Sequence, residues 1–164
     1  MKRFFIVFIL IFTLTSCSAK SSVEPQLKNI SFVAEISYYN EVYSCDCVMS
    51  KEGELTAVIK LPETLEGFTL KVNRESVTAE YLGISYTPTD GNMPFSSVLE
   101  EFYKKLCLSE SIGKAKKTDG VYKITAGEGA DKASLYLTEA GLPIKLEMPD
   151  ERFFAEFYNV TIQK

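Results

Sequence analysis

Histidine and tryptophan are both absent from this chain of 164 residues. Histidine is the commonest general base and the usual partner of serine and cysteine nucleophiles, so its absence excludes most familiar hydrolase sites. One carboxylate pair remains as an acid–base candidate, because the strand register predicted below sets Glu35 opposite Asp46. Lys60 lies diagonally from Asp46 on the next predicted strand, which favours a solvated charge cluster. We therefore expect that the protein is not an enzyme.

Basic charge is also scarce, since 18 lysine and arginine residues stand against 22 aspartate and glutamate residues. A net acidic chain is a poor match for polyanions, so we expect no nucleic-acid partner. Metal ligands are few as well: Cys45, Cys47 and Cys107 have no histidine with which to complete a zinc site. We expect neither a metal site nor a cofactor.

Long apolar runs are missing except at the start of the chain. Residues 4–14 are uncharged and follow Lys2 and Arg3, but the run is too short to span a bilayer comfortably. The next residues read LTSC and end at Cys17. This pattern resembles the lipobox of bacterial lipoproteins. The resemblance implies a signal peptide over residues 1–16, lipidation of Cys17, and a lipid-anchored, extracytoplasmic place at the cell membrane or envelope.

The rest of the chain has the length of a single domain. Residues 17–28 are small and polar, with one proline, which is the composition of a flexible tether. Residues 29–164 contain enough apolar positions for one full core. We predict a tether over residues 17–28 and a single domain over residues 29–164.

Alternating apolar and polar residues dominate from Ser31 onward, which predicts half-buried antiparallel strands. A two-residue turn at Asn40 and Glu41 would set Ile36 opposite Cys45, with the apolar residues of both strands on one face. A loop at residues 51–53, ending in glycine, would place Leu55, Ala57, Ile59 and Leu61 on that same face. Turn residues divide the chain into about nine such strands.

One segment has helical periodicity instead. Residues 97–108 carry apolar side chains at helical spacing, while Glu100 with Lys104 and Glu101 with Lys105 form i,i+4 pairs on the other side. Ser97 and Glu100 fit a capping box, and Gly113 fits a stop signal. A one-sided sheet must cover its apolar face. We predict an α+β fold in which a curved antiparallel half-barrel wraps around this helix.

Three segments carry a family resemblance: FVAEISYY at residues 32–39, LPETLEGFTLKVNRESVTAEYLG at residues 61–83, and EAGLPIKLEMPDERFFAEFYNV at residues 139–160. Together they resemble the LolA/LolB/LppX-like lipoprotein carrier superfamily, whose half-open antiparallel barrel wraps around helices. The resemblance implies that an acyl chain or another lipid-like molecule binds in the hollow of the sheet. The expected wall of that hollow is Phe32, Ile36, Tyr38, Cys45, Cys47, Ile59, Leu70, Phe102 and Leu106.

Two alternatives stay open. The same architecture serves RseB-like sensors and a spore-germination lipoprotein, so the partner could be an envelope protein and the hollow could be a solid core. Cys107 could form a disulfide with Cys45 or with Cys47, because the helix should lie over the face that both occupy. Buried free thiols are the simplest expectation for all three.

The lipobox gives a first prediction. Cys17→Ala removes the sulfur that would be acylated, so the variant should carry no acyl chains and should remain as precursor or leave the membrane. Metabolic labelling with an acyl probe measures this directly. Equal labelling of the variant and the wild type would contradict the lipoprotein assignment.

Overall fold

The computed structural model describes residues 22–87, 94–129 and 132–163. Within these ranges the chain forms one antiparallel sheet of twelve strands and one α-helix. The strands are β1 Ser22–Val23, β2 Ile30–Tyr38, β3 Glu41–Met49, β4 Leu55–Leu61, β5 Thr69–Val72, β6 Val77–Tyr81, β7 Ile84–Tyr86, β8 Ala115–Thr118, β9 Val121–Ala126, β10 Ala133–Leu137, β11 Pro143–Met148 and β12 Phe153–Ile162. The helix, α1, spans Pro94–Ile112, and single 3-10 turns occur at Glu63–Leu65 and Pro149–Glu151.

The sheet consists of two meanders joined through its middle. Its strand order is β1-β8-β9-β10-β11-β12-β2-β3-β4-β5-β6-β7, so the last strand of the chain pairs with the first long one. Helix α1 contacts β9 and β10 in one meander and β5 and β6 in the other. One helix touches both halves of an open sheet, which confirms the predicted α+β architecture.

Helix α1 is longer than its predicted span of residues 97–108. It begins at Pro94, a residue favoured in the first turn because its missing N–H has no helical partner there. Ser97 therefore lies inside the first turn, and the predicted capping box is wrong. The stop signal is confirmed: Gly113 adopts φ +89° and donates its N–H to the Glu110 carbonyl at 3.1 Å.

The first hairpin has the predicted faces but a different register. Its two-residue turn is Tyr39–Asn40, so Ile36 lies opposite Tyr43 and Ala34 lies opposite Cys45. Tyr39 adopts φ +54° and donates its N–H to the Arg152 carbonyl at 3.2 Å, which ties this turn to the neighbouring one. The difference is two residues, the period of a strand, so every side chain keeps its face.

The strand count of about nine is wrong, because three further strands are present. These are β1, β7 and β8, which have two, three and four residues and lie at or next to the edges of the sheet. All of β7 is exposed, and Ala115 is the only buried residue of β8. Strands this short and this exposed show no apolar alternation for a sequence pattern to detect.

Leu61 is also placed differently from the prediction. The pairing of β3 with β4 shifts between Ser44 and Cys45, and Ser44 lies opposite Leu61. The irregularity rotates the end of β4, so Leu61 is exposed while Leu55, Ala57 and Ile59 remain buried.

Residues 22–28, assigned above to the tether, are part of the described domain. Ser22 pairs with Lys116, Gln26 donates its N–H to the Gly141 carbonyl at 2.8 Å, and Leu27 is buried. The domain therefore starts before residue 29. The predicted signal peptide over residues 1–16 and the lipidation site Cys17 lie outside the described residues.

The faces of β2 give a second prediction. Ile36 is fully buried, whereas its neighbour Ser37 is half-buried on the outer face. Ile36→Asp places an unpaired charge in the core and should lower the free energy of unfolding by several kcal/mol. Ser37→Asp should change it by about 0.5 kcal/mol or less. Chemical denaturation of both variants measures the difference, and similar losses would mean that the faces are assigned wrongly.

Candidate functional site

The residues predicted to line the hollow lie together on the concave side of the sheet and on α1, where they form part of the core. Eight of the nine are buried, and Tyr38 is half-buried. Phe102 has no exposed surface, and its ring lies 5.6 Å from the ring of Phe157 and 6.3 Å from that of Phe153, between centroids. Aromatic side chains therefore fill the space where the ligand was expected.

Open space is found instead beside α1, where the β5–β6 turn packs against the helix. The smaller of two adjoining spaces, about 360 Å³, lies between the second half of α1 and the turns β3–β4 and β5–β6. The larger, about 480 Å³, runs along α1 from Ser96 to Cys107 beside the β5–β6 turn. We call them together the end cleft. Both spaces are bordered by Asn73, Arg74, Glu75, Tyr103 and Cys107.

The floor of the end cleft is apolar. Leu27, Met49 and Leu106 line the smaller space, and each is at least 96% buried. Leu106 is the one residue of the predicted hollow wall that also lines the cleft. A ligand with an apolar segment would cover the remaining accessible surface of this floor.

Tyr103 fixes the shape of the cleft. Its hydroxyl donates a hydrogen bond to the Gly53 carbonyl at 2.7 Å, which holds the β3–β4 turn against the helix. Gly53 adopts φ +88°, the conformation that brings this carbonyl towards α1. Burial, and then the neighbouring Cys107 thiol, raises the pKa of Tyr103 to about 12, so the phenol stays protonated and keeps this bond at physiological pH.

Charged side chains form the rim. Lys28 and Glu110 form an ion pair at 3.4 Å, which joins the N-terminal segment to the end of α1. Arg74 is exposed at the tip of the β5–β6 turn, and it has no ion-pair partner among the described residues. The side-chain oxygen of Asn73 accepts hydrogen bonds from the N–H groups of Glu75 and Ser76, both at 2.9 Å, and so shapes that turn.

The three described cysteines are free thiols, so neither of the disulfides left open above is formed. Cys45 and Cys47 are buried, as expected, on the same face of β3. Burial raises the pKa of Cys45 to about 12 and that of Cys47 well above its usual value, so both stay neutral. Cys107 is half-buried and borders both parts of the cleft.

The carboxylate pair considered for acid–base chemistry is not formed. Glu35 lies opposite Ser44 on one side and Glu156 on the other, because the hairpin register differs by two residues from the predicted one. Asp46 forms the expected ion pair with Lys60 at 3.2 Å. In the part of the chain that the structure describes, no group of three histidine, cysteine, aspartate or glutamate residues is placed to hold a metal ion.

Comparison with known proteins gives no family. No family model matches the chain, and no curated protein is similar to it at a significant level. No helix among residues 22–87, 94–129 and 132–163 is both long and apolar enough to cross a membrane. The end cleft must therefore be interpreted from its own residues. Sequence reasoning missed most of them, because Arg74 and Tyr103 meet only after a turn folds back against a helix.

The packed hollow gives a third prediction. If Phe102 lined an open hollow, as the family resemblance implies, its truncation would cause only a modest loss of stability. With Phe102 fully buried among aromatic rings, Phe102→Ala should instead cost about 3–5 kcal/mol of unfolding free energy. Chemical denaturation measures this cost. A loss below about 1 kcal/mol would mean that an open hollow surrounds this ring.

Proposed function

We propose that the protein is a lipid-anchored, extracytoplasmic binding protein whose ligand is an amphipathic molecule with an acyl or similar apolar chain. The ligand lies in the end cleft. The observation that carries this proposal is the combination of an apolar floor at Leu27, Met49 and Leu106 with the guanidinium of Arg74 at the rim, which forms no ion pair within the part of the chain that the structure describes. Such an arrangement suits an apolar chain that ends in an anionic group.

The dimensions of the cleft support a small ligand. Pockets that bind small molecules usually measure several hundred cubic ångströms, and each part of the end cleft is in this range. Each methylene buried on the floor contributes about 0.8 kcal/mol, so a few carbon atoms suffice for useful affinity. Glu52, Glu54 and Glu75 also line the smaller space and would repel an anion placed away from Arg74. The anionic group is therefore expected at Arg74 itself.

The place of the protein in the cell rests on the sequence. The charged start, the short apolar run and the LTSC sequence ending at Cys17 support a lipid anchor on the outer side of a membrane. Two or three acyl chains would hold the protein there without a spanning segment. An anchored domain would lie next to a membrane that contains lipid-like molecules of the kind proposed for the cleft.

A thiol-protection experiment tests the cleft. Palmitate bound in the end cleft should slow the alkylation of Cys107 by a water-soluble maleimide, because Cys107 borders both parts of the cleft. Cys45 and Cys47 should stay unreactive with or without palmitate because both are buried. Peptide mass spectrometry separates the three thiols. Unchanged alkylation of Cys107 at saturating palmitate would exclude this site for an acyl chain.

Charge reversal at the rim gives the fourth prediction. Arg74→Glu should weaken the binding of palmitate by about tenfold or more, because an ionic hydrogen bond is replaced by repulsion. Arg152→Glu is the matched control, since Arg152 is also an exposed arginine but lies between the 3-10 turn Pro149–Glu151 and β12. The affinity of the Arg152→Glu variant for palmitate should equal that of the wild type. Equal losses in the two variants would mean that only net charge matters.

A protein partner is the second candidate function, and the edge of the sheet favours it. Among the described residues, strand β7 is an edge of the sheet, and Leu82 and Ile84 beside and within it are 84% and 73% exposed. An exposed apolar edge is a template for strand addition by another chain. A photo-crosslinker at Tyr86 on β7 should then capture an envelope protein, whereas one at Tyr158, exposed on β12, should not. Equal capture at both positions would count against this candidate.

A further inference from the structure

The outer face of the sheet carries a row of three lysines and one tyrosine across four strands. Lys116 on β8 lies opposite Lys123 on β9, which lies opposite Tyr136 on β10, which lies opposite Lys145 on β11. The ammonium groups of Lys123 and Lys145 lie 4.9 and 4.6 Å from the centroid of the Tyr136 ring. We call these four residues the lysine row.

Two lysines of the row form no close ion pair among the described residues. Lys145 pairs with Glu147 at 2.6 Å, and Lys123 attracts the same carboxylate from farther away. Neither Lys116 nor Lys123 lies within ion-pair distance of a described carboxylate. These two lysines are direct cross-strand neighbours, and like charges in that position destabilise a sheet. An external anion that approaches this face would relieve the repulsion.

The sign of the charge changes along the same line of the sheet. Beyond Lys145, the next cross-strand neighbours are Glu156 on β12 and Glu35 on β2. Along this line the outer face is basic from β8 to β11, where Glu147 offsets one of the three lysine charges, and acidic at β12 and β2. A domain with this separation of charge has a preferred orientation over an anionic surface, with the lysine row towards it.

The start of the described chain lies beside the lysine row. Ser22 in β1 is the cross-strand neighbour of Lys116. Cys17 is five residues earlier, and five residues span at most about 18 Å when fully extended. Acyl chains on Cys17 would thus enter the membrane close to Lys116 and Lys123.

From this charge pattern and this short connection, we propose that the lysine row contacts the headgroups of anionic phospholipids. The proposal rests on the lipid anchor at Cys17 and deepens it, because the row would fix how the anchored domain sits on the membrane. Juxtamembrane lysines are attracted to anionic lipids within about one Debye length of the surface.

Lysine footprinting tests the proposal. Full-length protein is incorporated into vesicles of phosphatidylcholine, or of phosphatidylcholine mixed with phosphatidylglycerol, and is acylated with a water-soluble active ester. Lys116 and Lys123 should react several-fold more slowly on the phosphatidylglycerol vesicles. Lys60 on β4 is the internal control and should react equally on both. Salt at about 1 M, where the Debye length is near 3 Å, should abolish the difference.

Charge-neutralising variants provide the matched comparison. In the double variant Lys116→Gln, Lys123→Gln, the remaining lysine of the row, Lys145, should lose its protection on phosphatidylglycerol. In the control Lys60→Gln, Lys71→Gln, which removes the same charge from β4 and β5, Lys145 should keep it. Lys116 and Lys60 are exposed, and Lys123 and Lys71 are half-buried on the outer face, so both variants should fold.

The outcomes separate the two proposals. Equal acylation of the lysine row on both kinds of vesicle would overturn the headgroup contact, whether or not Cys17 carries acyl chains. Selective protection without acyl label on Cys17 would support the lysine row and contradict the lipid anchor. Protection of Lys60 to the same degree as Lys116 would also overturn the proposal, because the lysine row would then have no preferred contact with the membrane.

Discussion

The packing of α1 against the concave face of the sheet is the contact on which the rest of the structure depends. An open sheet of this width leaves one apolar face to be covered, and α1 is the one helix among the described residues that covers it. Val98, Phe102 and Leu106 follow one another along one side of this helix, and all three are buried. Because the helix contacts both meanders, loss of this packing would expose both halves of the sheet.

The same contact determines where open space remains. Phe102 is in the middle of α1, where the rings of Phe153 and Phe157 fill the hollow. The helix ends at Ile112, and near this end the cover is completed by turns rather than by regular structure. Turns expose backbone and polar side chains, so the space they leave has a charged rim. The smaller part of the end cleft is thus a consequence of covering a wide sheet with one helix of limited length.

Sequence patterns predicted the parts of the fold that repeat and missed the parts that do not. The buried face of β2 and β3 was predicted correctly although Ile36 pairs with Tyr43 and not with Cys45, because a slip of two residues preserves the face. The helix and its end at Gly113 were predicted because apolar spacing and a glycine stop signal are local. Strands β1, β7 and β8 were missed, because they are short and mostly exposed and so show no apolar alternation.

The candidate site was harder to predict than the fold for a related reason. The predicted wall residues do lie together, but alternation shows only that a side chain faces inward, and an inward side chain either lines a cavity or fills it. Phe102 fills it. Arg74 and Tyr103 approach each other because Asn73 shapes one turn and the Tyr103 hydroxyl holds another. No periodic pattern encodes such an approach.

The N-terminal segment connects the proposed membrane contact to the cleft. Ser22 pairs beside Lys116, while Leu27 and Lys28, a few residues later, line the cleft. Between them the backbone passes so close to Gly141 that a Cβ there would clash with the Glu24 carbonyl oxygen. Gly141 also accepts the Gln26 N–H at 2.8 Å, so this path is held by packing as well as by a hydrogen bond. Because the segment is fixed at both ends, the positions of Leu27 and Lys28 at the cleft are held relative to Ser22 in the sheet.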